Sequence, residues 1–251
     1  IYNEETRYYY MFLSFGGLDS DGGYNIRVCR SENPNGPYVD SMGQDMKDCK
    51  GPAGSAFSDA TAELYGTKLM GGYKFTWKEG EEGEDRKGYL SPGHNSCLYQ
   101  EETGKYFIIY HTRFENSGET HEVRVHQMFF NEEGWPVIAP YRYTEENAEE
   151  LESSQLVGTY KYINHGRDIS PDIKESEELI LNKNNTLSGA LEGTWELSGD
   201  YNITLKTDEA EYKGVALKQW DEDGKKYVMT FTALDSKSGT AIWGSGLNAI
   251  E

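Results

Sequence analysis

Tyr8-Tyr9-Tyr10-Met11-Phe12-Leu13-Ser14-Phe15, halted by Gly16-Gly17, is dense in strand-favouring aromatics and reads as a buried strand. After the turn-forming Asp19-Ser20-Asp21-Gly22-Gly23, residues 24–30 alternate apolar and polar side chains and return antiparallel, closing on a turn over residues 33–38. That is a hairpin. The same pattern continues in further apolar runs at 68–75, 96–99, 106–111 and 122–130. Short strands joined by Gly, Asn and Pro turns, with almost no helical periodicity, predict an all-β fold.

A turn followed by a basic-aromatic step into a strand recurs. Glu5-Thr6-Arg7-Tyr8-Tyr9 parallels Glu102-Thr103-Gly104-Lys105-Tyr106. The repetition points to propeller blades, although a sandwich produces a loose repeat of this kind too.

The acidic run Glu145-Glu146-Asn147-Ala148-Glu149-Glu150 divides the chain, and residues 144–151 are expected to form a linker between residues 1–143 and 152–251. Beyond it, apolar runs near 158–163, 178–181, 187–189, 193–197, 201–205, 214–220, 226–231 and 239–242 predict strands in meander order. A small antiparallel barrel is the natural way to close such a meander.

The formal charge of -19 makes a surface that repels phosphate backbones and anionic lipids, so neither nucleic acid nor membrane is expected as a partner. No apolar run is long enough to span a bilayer. Cys29, Cys49 and Cys97 are too few and too scattered for a disulfide scaffold or a zinc site. Ile1 opens the chain without an initiator methionine or signal peptide, which suggests that its beginning lies elsewhere.

The most suggestive polar feature is Pro92-Gly93-His94-Asn95-Ser96, a bend that delivers a histidine to the rim of β-structure just ahead of an apolar strand. His94 is read either as a ligand contact or as a turn histidine bonded to backbone. His111, His121 and His126 share the first half, but nothing in the sequence gathers them, and structural roles are favoured. Asp19-Ser20-Asp21 superficially resembles the start of a calcium loop, yet Arg30 stands where the terminal glutamate belongs, which favours a hairpin turn. Of the five tryptophans, Trp77 is the best candidate for stacking on a sugar, because it borders the charged loop from Lys78 to Gly88. There is no Ser-His-Asp signature and no phosphate-cradling glycine loop.

Ile1-Tyr2-Asn3, the run from Tyr8 to Leu18, Gly22-Gly23-Tyr24-Asn25-Ile26-Arg27-Val28, Arg30-Ser31, Gly36-Pro37-Tyr38 and Gly93-His94-Asn95-Ser96, in that order, resemble glycoside hydrolase family 43. Within it the likeness is to the arabinanases that carry a C-terminal accessory barrel. The resemblance implies a five-bladed β-propeller that hydrolyses α-1,5-linked arabinan with inversion. Inversion needs an acid carboxyl and a separated base carboxylate with room for water between them, and a third carboxylate in the family tunes the acid.

By the resemblance all three carboxylates fall upstream, so no catalytic residue is expected in this chain. Two blades leave a propeller channel uncovered, and the missing blades are expected from a companion polypeptide of a longer or cleaved enzyme. His94 matches a histidine that helps hold a mostly water-coordinated calcium ion near the propeller axis. Phe15, Gly16, Gly17, Arg27 and Asn95 match positions at the substrate cleft, with a salt bridge inside the blade as the other reading of Arg27. The alternatives are a xylosidase or arabinofuranosidase of the same fold, or a non-catalytic carbohydrate-binding module. Location is expected to be secreted or cell-surface, with arabinan or arabino-oligosaccharide as the ligand.

Overall fold

The computed structural model describes residues 1–49, 61–79, 81 and 86–250, and strands dominate it. The first sheet is an antiparallel meander of β1 (Tyr2–Asn3), β2 (Tyr8–Phe15), β3 (Asn25–Ser31) and β4 (Thr67–Met70). A second meander runs through β5 (Tyr73–Lys74), β6 (Tyr89–Gln100), β7 (Lys105–Phe114), β8 (His121–Phe130) and β9 (Pro136–Ile138). The apolar run 68–75 therefore serves two strands in two different sheets, with the break at Gly71-Gly72. Periodicity alone does not locate such a corner, because both pieces are buried and equally apolar.

After α1 (Ser153–Leu156), a single turn closed by a capping box between Glu152 and Gln155, come β10 (Gly158–Asn164), β11 (Lys174–Glu175) and β12 (Glu177–Leu181). They are followed by β13 (Thr186–Gly189), β14 (Gly193–Ser198), β15 (Asn202–Lys206), β16 (Glu211–Asp221), β17 (Lys226–Asp235) and β18 (Thr240–Gly246). All of these strands except β11 form one ring, closed by the pairing of β18 with both β10 and β17. The fold is all-β with an eight-stranded closed barrel, as the meander in the second half predicts.

Alternation along the barrel strands separates two cores. Tyr160 and Tyr162 of β10 point inward with Leu179, Trp195, Leu205 and Phe231, and fill the barrel. Ile163 of β10, Val215 and Leu217 of β16 and Trp243 of β18 point outward and join Tyr10, Ile26, Tyr73, Ile108 and Tyr110 in a second core shared with both sheets. Main-chain bonds reinforce this seam. β18 touches β4 through the parallel pair Thr240 and Lys68. β11 leaves the barrel to pair parallel with β5, where Lys174 N–H donates to Gly72 O at 3.0 Å and Ser176 N–H to Lys74 O at 2.9 Å.

The acidic segment 144–151 is a tied strap. Lys105 Nζ donates to Glu146 O at 2.8 Å, Gln219 Nε2 donates to Glu146 Oε1 at 2.8 Å, and Leu151 N–H donates to Asp200 O at 2.8 Å. These contacts reach the second sheet and the barrel alike.

Candidate functional site

The stretch around His94 lies within β6 and is not a bend ahead of a strand. The strand makes two register shifts, between Leu90 and Gly93 and between Gly93 and Ser96, so the Pro-Gly pair is absorbed as consecutive bulges. Ser91 and His94 both take left-handed backbone, with φ of 47° and 50°. For residues with a Cβ this costs about 1 kcal/mol each, and contacts from the first sheet offset it.

Ser14 Oγ accepts the His94 N–H at 2.7 Å, and its own hydroxyl donates to Asn95 Oδ1 at 3.1 Å. One hydroxyl from β2 thus pins two successive residues of β6. The Tyr24 ring packs against Gly93, so close that a Cβ there would meet it at 2.4 Å. His94 is left exposed while its backbone is fixed.

The structure gathers what the sequence left scattered. The His94 and His111 rings are 5.6 Å apart, and His111 and His121 are 4.7 Å apart, in a row across β6, β7 and β8. Burial, then the neighbouring His121, holds the His111 imidazole below the ordinary histidine value, and its buried Nε2 has no hydrogen-bond partner among the described residues. The sequence carried a signal for this: a hairpin centred on Ser117 puts Arg113 opposite His121 and His111 opposite Val123, making the two histidines diagonal neighbours. His126 points to the opposite face and is fully buried.

Imidazole alone does not make a calcium site, since that ion takes oxygen ligands. Among the described residues no group of three or more His, Cys, Asp or Glu side chains is arranged to hold a metal. The donor set around His94 fits a single contact to a hydrated cation and builds no cage. Asp19-Ser20-Asp21 forms a hairpin turn, in which Gly22 N–H donates to Asp19 O at 2.9 Å.

Phe15 ends β2 and Gly16-Gly17 follow it, directly after the Ser14 that holds His94 and Asn95. Gly16 has φ +84°, and a Cβ on it would lie 2.5 Å from Gly23 O, so only glycine allows the hairpin to close this tightly. Between β2 and β6 runs a groove of about 550 Å³, lined by Phe12, Asn95, Ser96 and Tyr99 among others.

Arg27 does not reach it. The side chain is fully buried, its Nε donates to Asn25 Oδ1 at 2.8 Å, and its Nη1 donates to Glu63 O at 3.0 Å and Tyr65 O at 2.8 Å. Nη2 donates to Arg167 O, on the connection between β10 and β11. The expected substrate contact is therefore corrected, and so is the in-blade salt bridge. Arg27 spends its donors on an amide and on carbonyls, tying β3 to the 63–66 segment and to the barrel side. Burial pulls its pKa down to about 10. The sequence could not reveal this, because the acceptors are backbone atoms remote along the chain.

Trp77 is 39% exposed and donates from Nε1 to Glu81 O at 3.2 Å, while residues 80 and 82–85 of its loop lie outside the described residues.

An all-β chain with a closed eight-stranded barrel packed against two meander sheets has close counterparts. Residues 140–244 match the family model GH43_C, described as a C-terminal lipocalin-like domain. The chain as a whole is similar to extracellular endo-α-(1→5)-L-arabinanase 2 of Bacillus subtilis, with 51% identity over 98% of this chain and 51% of the relative. It is 49% identical to an extracellular endo-α-(1→5)-L-arabinanase of Thermotoga petrophila, over 97% of this chain and 51% of the relative. Among solved structures, a family 43 glycoside hydrolase from Bacillus licheniformis matches with a TM-score of 0.92 at 50% identity, covering 99% of this chain and 54% of that one. The chain thus spans about half the length of these relatives, corresponding to their C-terminal half.

Proposed function

We propose that this chain is the C-terminal half of an arabinan hydrolase, cleaving α-1,5-L-arabinofuranosidic bonds once joined to the half that the relatives carry in the same chain. The observation that carries this reading is the 51% identity to an endo-arabinanase over 98% of the chain. In this reading residues 1–143 supply the later blades of a five-bladed propeller, residues 144–151 the connection and residues 152–251 the accessory barrel. The acid, the base and the tuning carboxylate come from the other half, within this chain's full-length form or on a companion polypeptide. The relatives' names, both extracellular, support a secreted location.

The open face of the second sheet supports such completion. Leu98 is 48% and Val123 65% exposed on the face opposite the shared core, where a further blade would cover them. Within the assembly Phe15, Gly16, Gly17 and Asn95 shape the cleft, and His94 touches one hydrated calcium ion near the axis. Such an ion would shift the field at nearby carboxylates. The contribution of this chain is positional: Ser14, Tyr24 and Gly93 hold the His94 backbone in place.

The test is complementation. This chain, mixed with the separately expressed remaining half of the Bacillus subtilis relative, is expected to release reducing sugar from linear arabinan and much less from xylan. Release from xylan alone would favour the xylosidase alternative, and binding without release would favour a carbohydrate-binding module.

A further inference from the structure

Where β6 begins, the seam between the second sheet and the barrel opens into a cleft of about 700 Å³, within the range of roughly 300–1,000 Å³ usual for small-ligand sites. Tyr89, Phe114 and Arg124 form its sheet wall, and Glu222, Asp223 and Lys225, from the hairpin joining β16 and β17, form its barrel wall. The Tyr89 and Phe114 rings meet edge-on at 4.9 Å. The Arg124 guanidinium lies 4.8 Å from the Phe114 centroid, and its Nη1 donates to Glu122 Oε2 at 2.8 Å and to Val123 O at 3.0 Å. Arg86, 7% exposed, closes the floor and is clamped to Asp221 at 2.5 Å.

The charge balance selects the ligand. Arg86, Lys87, Arg124 and Lys225 line the cleft together with Glu122, Glu222 and Asp223, so it is close to neutral on a chain whose formal charge is -19. An anionic polymer gains little inside and is repelled outside. An apolar ligand would strip water from these charges without offering them a hydrogen bond. Carboxylates that accept, cations that donate and aromatic rings that present flat apolar surface together suit an uncharged polyhydroxylated ring.

We propose that this cleft is a secondary binding site for a neutral oligosaccharide, built jointly by the second sheet and the barrel. It goes beyond the hydrolytic reading, because it uses none of the residues around His94. It gives the barrel a role in holding the polymer.

Native gel electrophoresis of this chain tests the site, with mobility in polysaccharide-containing gels measured against a plain gel. Linear arabinan is expected to retard the chain more than xylan does, and polygalacturonate is expected to leave it unretarded. Glu222→Gln combined with Asp223→Asn, and separately Arg124→Gln, should each weaken retardation at least fivefold. The two acidic side chains are 58% and 61% exposed, so the double variant is expected to keep the unfolding midpoint. Glu209→Gln, an exposed charge change in the hairpin joining β15 and β16 at the other end of the barrel, should leave retardation unchanged. The site is overturned if the cleft variants bind like the parent, if Glu209→Gln weakens retardation as much as they do, if only polygalacturonate retards the chain, or if no neutral polysaccharide does. Binding is read without turnover, so failed complementation would leave this result standing, and the reverse also holds.

Discussion

The barrel and the second sheet solve the same problem in opposite ways. The barrel closes its hydrogen-bond ring and buries its inward side chains against one another, so that half satisfies itself. The second sheet buries one face against the shared core, where Ile108, Tyr110, His126 and Met128 are at most 1% exposed. Its other face presents Leu98, Ile109, Val123 and Val125 in adjacent cross-strand rows. An open sheet of this composition needs a neighbour on each face, whereas a barrel is its own neighbour. The shared core around Trp243 is what makes the two halves one folding problem.

Trp243→Ala should break that sharing most severely. The indole is fully buried, edge-on to Tyr73 at 4.9 Å and to His165 at 4.3 Å, and its loss is expected to cost about 4 kcal/mol. Urea unfolding followed by tryptophan fluorescence and by far-UV circular dichroism should show both signals shifting together. A shift confined to one of two separate transitions would mean that the barrel and the sheets do not depend on each other.

Acid should act next, through His126 at the same seam. Its Nδ1 donates to Ala139 O at 2.8 Å, so Nε2 accepts from the Tyr110 hydroxyl at 2.9 Å, and burial pushes its pKa down to about 4. The folded value lies below the ordinary 6.5, so between these limits the unfolded chain binds the extra proton. Stability is therefore full above about pH 6.5 and falls as pH drops toward 4, by about 3 kcal/mol in all. Thermal unfolding at pH 7 and pH 4.5 should show the loss, and His126→Gln should make it shallower, leaving the part that burial of His165 contributes. An equally steep decline in that variant would assign the acid sensitivity elsewhere.

Arg27→Met is expected to cost about 2 kcal/mol, because several carbonyls lose their donor. In the complemented enzyme it should leave KM for arabinan unchanged. A raised KM at unchanged stability would restore Arg27 to the substrate cleft. The smallest effect is expected on the open face, where Val123→Ser should change the stability of this chain by less than about 0.5 kcal/mol. The same substitution should weaken complementation by the other half, and an equal effect in both settings would argue that the face has no partner.

Much of the strand map was legible. The run Tyr8–Phe15 is β2 residue for residue, and eight predicted strands in the second half correspond to the eight of the barrel. Alternation and turn chemistry are local, so they survive without knowledge of neighbours. The site was less legible for the same reason. The bulges that aim His94, the hydroxyl of Ser14 that pins it and the row with His111 and His121 depend on registers between strands and on contacts between sheets. Arg27 was misplaced because a buried guanidinium capped by carbonyls looks, in one dimension, like any arginine on a strand.

Composition and pattern were enough to specify an all-β chain, its turns and a meander able to close, since these follow from side-chain periodicity and backbone preference. Packing chose where that meander docks, which apolar face stays open, how the glycines at 71 and 72 divide one run between two sheets, and which polar groups meet. Those outcomes rest on burial and hydrogen bonds between residues as far apart as Ser14 and Asn95, or Arg27 and Arg167, which no local pattern encodes.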